Sequence, residues 1–227
     1  MKTALVSGAA RGIGRATADM LAKAGLRVVR VDKQFSDPGS DCITYDLTEL
    51  AGIPKLIDSL GEIHVLVNNA GVQNAVSIDE YTEEQKKRIL RVNLEAPVEL
   101  IRAVSKQMIA RREGRIVNLA SIASWQPHPD LWYGITKAGV VSMTKSFASY
   151  LGRHGIQVNA VAPGPVDTDL LKRIDASRRE GLLKVVYSGR VGRPDEIAAA
   201  ITWLATASPA IVNGAILDIN DGTYPRS

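Results

Sequence analysis

The sequence predicts a single α/β domain in which helices cover both faces of a parallel sheet. Strand-length segments rich in Val, Ile and Leu alternate with longer segments that have apolar residues at helical spacing. This alternation is typical of parallel sheets joined by helical crossovers. Pro and Gly fall at the ends of these segments, and no linker or internal repeat interrupts the pattern. We therefore expect residues 1–227 to form one domain.

The first half of the chain is predicted to contain four strands and two helices. The apolar residues 4–6 indicate the first strand, and small and apolar residues at helical spacing indicate a helix over 12–24. Further apolar runs, rich in Val and Ile, predict the next strands. The remaining elements of this half are strands at 28–31, 42–45 and 63–67, with a helix at 48–60 between the last two.

The second half continues the same alternation. Two helices should fill 82–112, and a long helix covers 133–152. Apolar runs with many β-branched residues predict the strands on either side of these helices. They lie at 115–119, 156–161 and 215–219, and a helix at 194–206 precedes the last of them.

Composition and charge argue against several classes of protein. The net charge is +4, but basic residues are mixed with acids, as in 83–88, so we expect a solvated surface and no nucleic-acid partner. No apolar run is long enough to cross a membrane. The single cysteine, Cys42, permits no internal disulfide, and no signal-like segment comes before the first strand. The expected location is the reducing cytoplasm.

A glycine-rich turn joins the first strand to the first helix. Its sequence, Gly8-Ala-Ala-Arg11-Gly12-Ile13-Gly14, has the spacing GxxxGxG, which differs from the commoner GxGxxG of dinucleotide-binding folds. Glycine lets a ligand approach the backbone closely, and a helix start offers N–H groups and a positive dipole end to a pyrophosphate. Tight structural turns also use glycine, but the position at the first strand–helix junction favours a dinucleotide site.

Acidic residues after the second and third strands bear on the choice of dinucleotide. Asp32 ends the second strand, where a carboxylate can hold the adenosine ribose hydroxyls and repel a 2′-phosphate. We therefore expect NAD, although Asp32 as a plain turn residue is the alternative. Arg11 and Lys33 are cations that could accept the 2′-phosphate of NADP instead. Asp46 is placed to meet the adenine edge, or else to cap or shape a turn.

Tyr133 and Lys137 are spaced for acid–base chemistry. Four residues apart on a helix, they lie on the same face one turn from each other. An ammonium group near a phenol stabilises the phenolate and lowers a pKa that is ordinarily about 10. A phenol tuned in this way can give or take the proton of an alcohol or carbonyl oxygen.

Together these features resemble the short-chain dehydrogenase/reductase family over essentially the whole chain. The motifs that carry the resemblance are Gly8/Gly12/Gly14, Asn68-Asn-Ala-Gly71, Asn93, Ser121, Tyr133-x-x-x-Lys137, Pro163-Gly-Pro-Val-Asp-Thr168, Gly192-Arg-Pro-Asp-Glu196 and Asn220-Asp-Gly222. The resemblance implies a doubly wound Rossmann-type domain with a mostly parallel seven-stranded sheet. It also implies an NAD(P) cofactor and a homotetramer or dimer.

The resemblance assigns four residues to the reaction. Tyr133 would be the general acid/base on the substrate oxygen, and Lys137 would bind the nicotinamide ribose and favour the tyrosinate. Ser121 would hydrogen-bond the substrate oxygen; it is preferred to the nearby Ser124 because it directly follows the strand segment 115–120. Asn93 would position a water that joins Lys137 to solvent.

The cofactor contacts combine the glycine turn, the acids and the family motifs, and no metal ligand is expected. Asn69, Ala70 and Gly71 would line the cofactor, and Val166 and Thr168 would lie near the nicotinamide carboxamide. The full expected set is Gly8, Arg11, Gly12, Ile13, Gly14, Asp32, Asp46, Leu47, Asn69, Ala70, Gly71, Tyr133, Lys137, Pro163, Gly164, Val166 and Thr168.

The substrate pocket is expected between residues 72–74, residues 122–132 and a short lid at about 169–188. Trp125, Trp132 and His128 would add aromatic surface suited to a compact or cyclic secondary alcohol. Trp132 in a subunit interface is the alternative for that residue, and His128 is expected to face water. Cations of the lid could attract a carboxylate or phosphate, or could simply be solvated. They are Arg173, Arg178, Arg179 and Lys184.

The sequence thus predicts an oxidoreductase that transfers a hydride between NAD and a small or cyclic secondary alcohol or ketone. One alternative is an NADPH-dependent 3-oxoacyl-thioester reductase, which Arg11 supports. Another is an NAD-dependent dihydrodiol dehydrogenase, to which the short connection at 32–35 gives a faint likeness. A nucleotide-sensing binding protein is the alternative outside enzymes. The complete set of Ser121, Tyr133 and Lys137 argues against it.

Overall fold

The computed structural model describes residues 1–36, 38–74, 76–172 and 176–225. In this part of the chain seven strands form one sheet in the order β3-β2-β1-β4-β5-β6-β7, and every neighbouring pair is parallel. The predicted α/β domain with seven strands is therefore confirmed, with an all-parallel sheet. The strands are β1 (Thr3–Ser7), β2 (Arg27–Asp32), β3 (Cys42–Thr44), β4 (Val65–Asn68), β5 (Gly114–Leu119), β6 (Ile156–Pro163) and β7 (Ile216–Ile219).

Helices lie in the connections between the strands from β3 onward and between β1 and β2, as is usual for parallel sheets. They are α1 (Gly12–Lys23), α2 (Ile53–Leu60), α3 (Glu83–Leu90), α4 (Ala96–Arg111), α5 (Leu131–Gly152), α6 (Asp169–Lys172), α7 (Ala176–Val185) and α8 (Pro194–Thr206). Short 3₁₀ turns cover Leu50–Gly52, Ile78–Glu80 and Ile122–Ser124, and a π turn covers Arg91–Glu95. None of the helices in the described ranges is both long and apolar enough to cross a membrane.

Two apolar cores lie on opposite faces of the sheet. Side chains of α2, α4 and α5 pack on one face, where Leu5 of β1 points, and side chains of α1 and α8 pack on the other, where Ala4 and Val6 point. The alternation of strand side chains between two covered faces explains why most strand residues are apolar.

Several predicted element bounds differ from the structure for local reasons. The predicted helix 48–60 begins as a 3₁₀ turn and becomes α2 only at Ile53, with Pro54 in its first turn. The predicted strand 63–67 starts at Val65, because the backbone N–H of Ile63 is used by the side chain of Gln107. Helix α5 starts two residues early, at Leu131, because Asp130 caps it.

Candidate active site

The strand order reverses between β1 and β4, and the loops that follow these two strands meet at the carboxyl edge of the sheet. In doubly wound sheets this switch point is where dinucleotides bind. Gly8 has a φ of +66°, and its N–H donates to the carbonyl of Val31 at 2.8 Å. A Cβ on Gly14 would lie 2.1 Å from the carbonyl oxygen of Gly8. The turn is thus closed against the start of α1 by glycines that no larger residue can replace.

Ser7 and Asn69 hold the two loops of the switch point together. The side-chain amide of Asn69 donates to the carbonyls of Ser7 and Gly8, each at 2.9 Å. The hydroxyl of Ser7 accepts from the N–H groups of Asn69 and Ala70, each at 3.1 Å. Asn69 therefore lies at the expected place, but its amide is used on the glycine turn. Ser7 was missed from the sequence, because its partners are more than sixty residues away.

At the adenosine end, Asp32 holds the glycine turn in place. One carboxylate oxygen accepts from the N–H of Ala10 at 2.9 Å, and the other from the N–H of Lys33 at 2.7 Å. The two cations that could accept a 2′-phosphate are both paired with acids. Lys33 contacts Asp46 at 2.6 Å, and Arg11 contacts Asp169 at 3.3 Å.

Asp46 shapes a turn, which was the alternative to its predicted contact with the adenine. Its carboxylate accepts from the N–H of Thr48 at 3.0 Å and from the hydroxyl of Thr48 at 2.9 Å. The hydrogen bond from Lys33 and the bond from the Thr48 backbone lower the pKa of Asp46 to about 2. The neighbouring Leu47 is buried in the apolar core.

The loop after β6 faces the glycine turn. Pro163 ends β6, and the N–H of Gly164 donates to the carbonyl of Ile219 at 3.0 Å, which ties the loop to β7. Val166 is buried and pairs with Gly192. A Cβ on Gly12 would lie 3.5 Å from the methyl carbon of Thr168, so this loop and the start of α1 are in near contact. Ile13, in the first turn of α1, packs on the second core.

Tyr133, Lys137 and Ser121 come together beside this crevice. Lys137 is 3% exposed, its Nζ lies 5.6 Å from the centre of the Tyr133 ring, and it donates to the carbonyl of Leu119 at 2.6 Å. Ser121 follows β5 and is in hydrogen-bond contact with Tyr133. The competing hydroxyl, Ser124, donates to the carbonyl of Lys137 at 2.9 Å and therefore has a structural role.

The prediction that Lys137 lowers the pKa of Tyr133 is wrong, because that pKa lies above its ordinary value. Burial raises the pKa of Tyr133 above its ordinary value; the hydrogen bond with Ser121 acts against this rise, and the charge of Asp130 adds to it. Burial also lowers the pKa of Lys137, to about 8. Burial is thus the largest cause of both pKa shifts.

Asn93 lies in the π turn between α3 and α4, and its side chain is fully engaged. The side-chain oxygen accepts from the N–H of Val72 at 2.8 Å, and the amide donates to the carbonyl of Val72 at 2.8 Å and to the hydroxyl of Thr136 at 3.1 Å. Pro97, four residues on, has no N–H, so the backbone carbonyl of Asn93 lacks its α-helical donor. A water at Asn93 would therefore have to use that carbonyl. Gly71 lies next to both residues: a Cβ on Gly71 would be 3.6 Å from Lys137 Nζ and 3.7 Å from the side-chain oxygen of Asn93.

The aromatic residues near the expected pocket do not all lie where the sequence placed them. His128 is partly exposed, and its ring also contacts the ring of Tyr133 at a centroid distance of 4.9 Å. Trp132 instead lies against α3, with Lys86 5.4 Å from its ring centre. Trp125 stacks on Tyr224 of the C-terminal segment, at 6.5 Å and 5° between planes.

The lid region contains α6 and α7. Lys184 forms an exposed ion pair with Glu180 at 3.1 Å. Arg173 lies outside the described residues, and so do the side chains of Arg178 and Arg179. Among the described residues no cluster of three or more His, Cys, Asp or Glu could hold a metal ion.

The glycine turn after β1 fits a pyrophosphate, because it leaves room that a Cβ at Gly14 would fill. Lys137 is buried in the same crevice. Fold and site thus define a nicotinamide-dependent oxidoreductase. Residues 8–224 match a family model described as Enoyl-(Acyl carrier protein) reductase. The chain belongs to the short-chain dehydrogenase/reductase family.

Curated relatives include 3-oxoacyl-[acyl-carrier-protein] reductases FabG. That of Vibrio cholerae is 35% identical, with 98% of this chain and 97% of the relative covered, and that of Escherichia coli is 34% identical with the same coverage. A gluconate 5-dehydrogenase from Burkholderia cenocepacia, solved with NADP and tartrate, has a TM-score of 0.90 and 32% identity, covering 100% of this chain and 96% of that one. A 3-oxoacyl-[acyl-carrier protein] reductase from Brucella melitensis has a TM-score of 0.92 and 28% identity, with 99% and 92% covered.

Proposed function

We propose that the chain oxidises a small or cyclic secondary alcohol, or reduces the matching ketone, with Tyr133 as general acid/base. The observation that carries the proposal is the meeting of Tyr133, Ser121 and buried Lys137 beside the glycine turn. The nicotinamide supplies the hydride acceptor or donor when the cofactor is bound. The protein contributes the orientation of the reacting groups and the transfer of one proton.

In the direction of oxidation, Tyr133 acts as the tyrosinate: the O–H bond of the substrate breaks as its proton passes to the deprotonated Oη, and the carbinol carbon loses a hydride, which the nicotinamide would accept when bound. Ser121 donates a hydrogen bond to the substrate oxygen and holds it beside Tyr133. Lys137 is largely protonated at neutral pH, since its pKa is about 8. Its positive charge, 5.6 Å from the centre of the Tyr133 ring, stabilises a tyrosinate relative to an uncharged neighbour, while burial keeps the pKa of Tyr133 above its ordinary value. Reduction uses the same groups in reverse, with Tyr133 returning the proton.

The test replaces Tyr133→Phe and measures both turnover and nucleotide binding. We expect kcat to fall by about 10²–10⁴-fold, because the proton transfer is lost. The affinity for nucleotide, measured by fluorescence titration, should change little. Tyr150→Phe, an exposed tyrosine on the same helix, is the matched control. Near-wild-type turnover in Tyr133→Phe would contradict the mechanism.

For the cofactor we propose NAD in preference to NADP. Asp32 supports this, because a 2′-phosphate would meet its carboxylate, while Lys33 and Arg11 are each paired with another acid. The NADP bound to the similar gluconate 5-dehydrogenase argues for NADP instead. The chain must therefore be titrated with NADH and NADPH separately.

Replacement of Asp32 tests this preference. Asp32→Ala should shift the ratio of the two dissociation constants toward NADPH by about tenfold, because a repulsive charge is removed. Asp32→Asn removes the charge but keeps an acceptor for the N–H of Ala10. It therefore shows whether the preference depends on the charge of Asp32 or on its hydrogen bond to the glycine turn. Tighter binding of NADPH than NADH by the wild type would overturn the proposal.

A 3-oxoacyl-thioester reductase is the second candidate, favoured by the relatives that carry this name. Turnover of acetoacetyl-coenzyme A with NADPH, compared with a panel of cyclic alcohols, dihydrodiols and sugar acids, decides between the two.

We also propose a cytoplasmic homo-oligomer, a dimer or tetramer. The exposed apolar side chains of Trp203 on α8, of Ile211 and of Leu217 on the edge strand β7 support self-association, and light scattering in solution tests it.

A further inference from the structure

Asp130 is a buried acid that connects the helix of Tyr133 to the loop after β4. It is 3% exposed and is the N-cap of α5, where one carboxylate oxygen accepts from the N–H of Tyr133 at 3.0 Å. Capping alone accounts for one bond and works as well with Asn, Ser or Thr. The rest of the carboxylate has a different use.

The remaining bonds of Asp130 hold the segment that contains Asn74. The second carboxylate oxygen accepts from the N–H of Asn74 at 2.6 Å, and the hydroxyl of Tyr81 donates to the first at 3.2 Å. The side-chain amide of Asn74 in turn bonds the hydroxyl of Tyr81. A single buried side chain thus joins residues 74 and 81 to the start of α5.

Few charged groups face Tyr133. Asp130 lies three residues before it, Lys137 lies one turn after it with Nζ 5.6 Å from the ring centre, and His128 contacts the ring. The neutral hydroxyls nearby are those of Ser121 and, through Asp130, Tyr81. The negative charge of Asp130 raises the pKa of Tyr133. It adds to the larger effect of burial, which raises the same pKa.

We propose that Asp130 is a positioning residue that holds the loop after β4, at Asn74, against the start of the catalytic helix and places its negative charge close to Tyr133. The proposal rests on the proposed function in one respect, that Tyr133 is the acid/base. It defines two tasks for one carboxylate: hydrogen bonds that set the loop, and a charge that keeps the tyrosine protonated to higher pH. Loss of the charge and loss of the bonds can be separated by the choice of variant.

Asp130→Asn is the informative variant. The carbonyl of Asn can still cap the N–H of Tyr133, but its NH₂ group would face the N–H of Asn74, two donors without an acceptor between them. We expect amide exchange of a peptide covering 74–81 to be about tenfold faster, because the bond that closes it is lost. Asp58→Asn, the same substitution at an exposed position of α2, should leave exchange unchanged. Unchanged exchange at 74–81 in Asp130→Asn overturns the proposal.

The second readout is the pH profile. Removal of the negative charge stabilises the tyrosinate, so the limb of kcat/KM that reports Tyr133 should move to lower pH by about 0.5–1 unit. KM should rise more than kcat falls, since the loop is loosened while the reacting groups remain. A limb that coincides with that of the wild type overturns the proposal, since a purely structural cap would not move it.

A third variant covers the case in which Asp130→Asn does not fold. Tyr81→Phe removes one donor and keeps every charge, so it should speed exchange at 74–81 and leave the pH limb in place. Exchange needs no turnover, so this result stands whether or not Tyr133 is the acid/base. Turnover that survives Tyr133→Phe would reject the proposed function and leave the exchange data intact.

Discussion

Gly14 illustrates how strictly one position of the cofactor turn is determined. A Cβ there would lie 2.1 Å from the carbonyl oxygen of Gly8 and 2.4 Å from the side-chain nitrogen of Asn69. Both are fixed, the first by the backbone and the second by its hydrogen bonds to Ser7 and Gly8. No rotamer change can therefore relieve the collision.

Gly14→Ala should destabilise the fold by about 2 kcal/mol or more, because backbone must move to admit the methyl group. It should also abolish nucleotide binding, since the turn would open. Chemical denaturation and NADH titration measure the two effects. Gly39→Ala is the matched control, because nothing lies within 4 Å of a Cβ there. Equal stability and affinity of the two variants would contradict the steric argument.

At the residue scale, sequence reasoning reached what helix geometry and motif order dictate, and it missed side chains whose partners are distant. The spacing of Tyr133 and Lys137 fixes their relation before any fold is known. The bond of Asp130 to Asn74 spans 56 residues and depends on how β4 and α5 are placed. The direction of the Tyr133 pKa shift was likewise out of reach, because it depends on burial.

At the element scale, the sequence predicts two helices over 82–112 but not their junction. The structure joins α3 and α4 through the π turn, where the N–H of Ala96 donates to the carbonyl of Arg91, five residues back. Pro97 has no backbone N–H to donate within the helix. The side chain of Asn93 points out of this junction and bonds Val72 and Thr136. A π turn of this kind often marks a functional site, but propensity does not reveal it.

Asn93→Ala tests whether this junction holds the loop after β4. The substitution leaves the N–H and the carbonyl of Val72 without their partners, so we expect a loss of about 2–3 kcal/mol in the free energy of unfolding. Urea denaturation measures it. Glu95→Ala, exposed on the same turn, should change stability by less than about 0.5 kcal/mol. If both variants lose the same amount, the side chain of Asn93 is not what holds the loop.

At the scale of the whole molecule, the fold was predictable because each strand and helix has its own pattern, and a parallel sheet follows from their alternation. The two cores are formed by side chains that alternate along the strands, such as Leu5 on one face and Val6 on the other. The chemistry, by contrast, conflicts with this packing at Lys137. Lys137 is nearly fully buried, so the molecule carries a charge where its apolar interior disfavours one.

The stability of the whole chain should therefore depend on pH through Lys137. Its pKa is about 8 in the folded state, against 10.5 ordinarily, because burial disfavours the ammonium form. Between these values the unfolded chain binds more protons than the folded one, so stability rises with pH across this window. Below about pH 8 the penalty is fully present, and above about pH 10.5 it is gone.

Lys137→Met removes the titrating group and with it this pH dependence. Between pH 7 and pH 10, the wild type should gain about 2 kcal/mol in unfolding free energy relative to the variant. Urea denaturation without nucleotide measures the difference. The lost bond to the carbonyl of Leu119 shifts the variant equally at both pH values, because neutral and charged amines both donate. Lys145→Met, exposed on the same helix, should follow the wild type. Parallel pH profiles of wild type and Lys137→Met would mean that the buried amine does not titrate in this range.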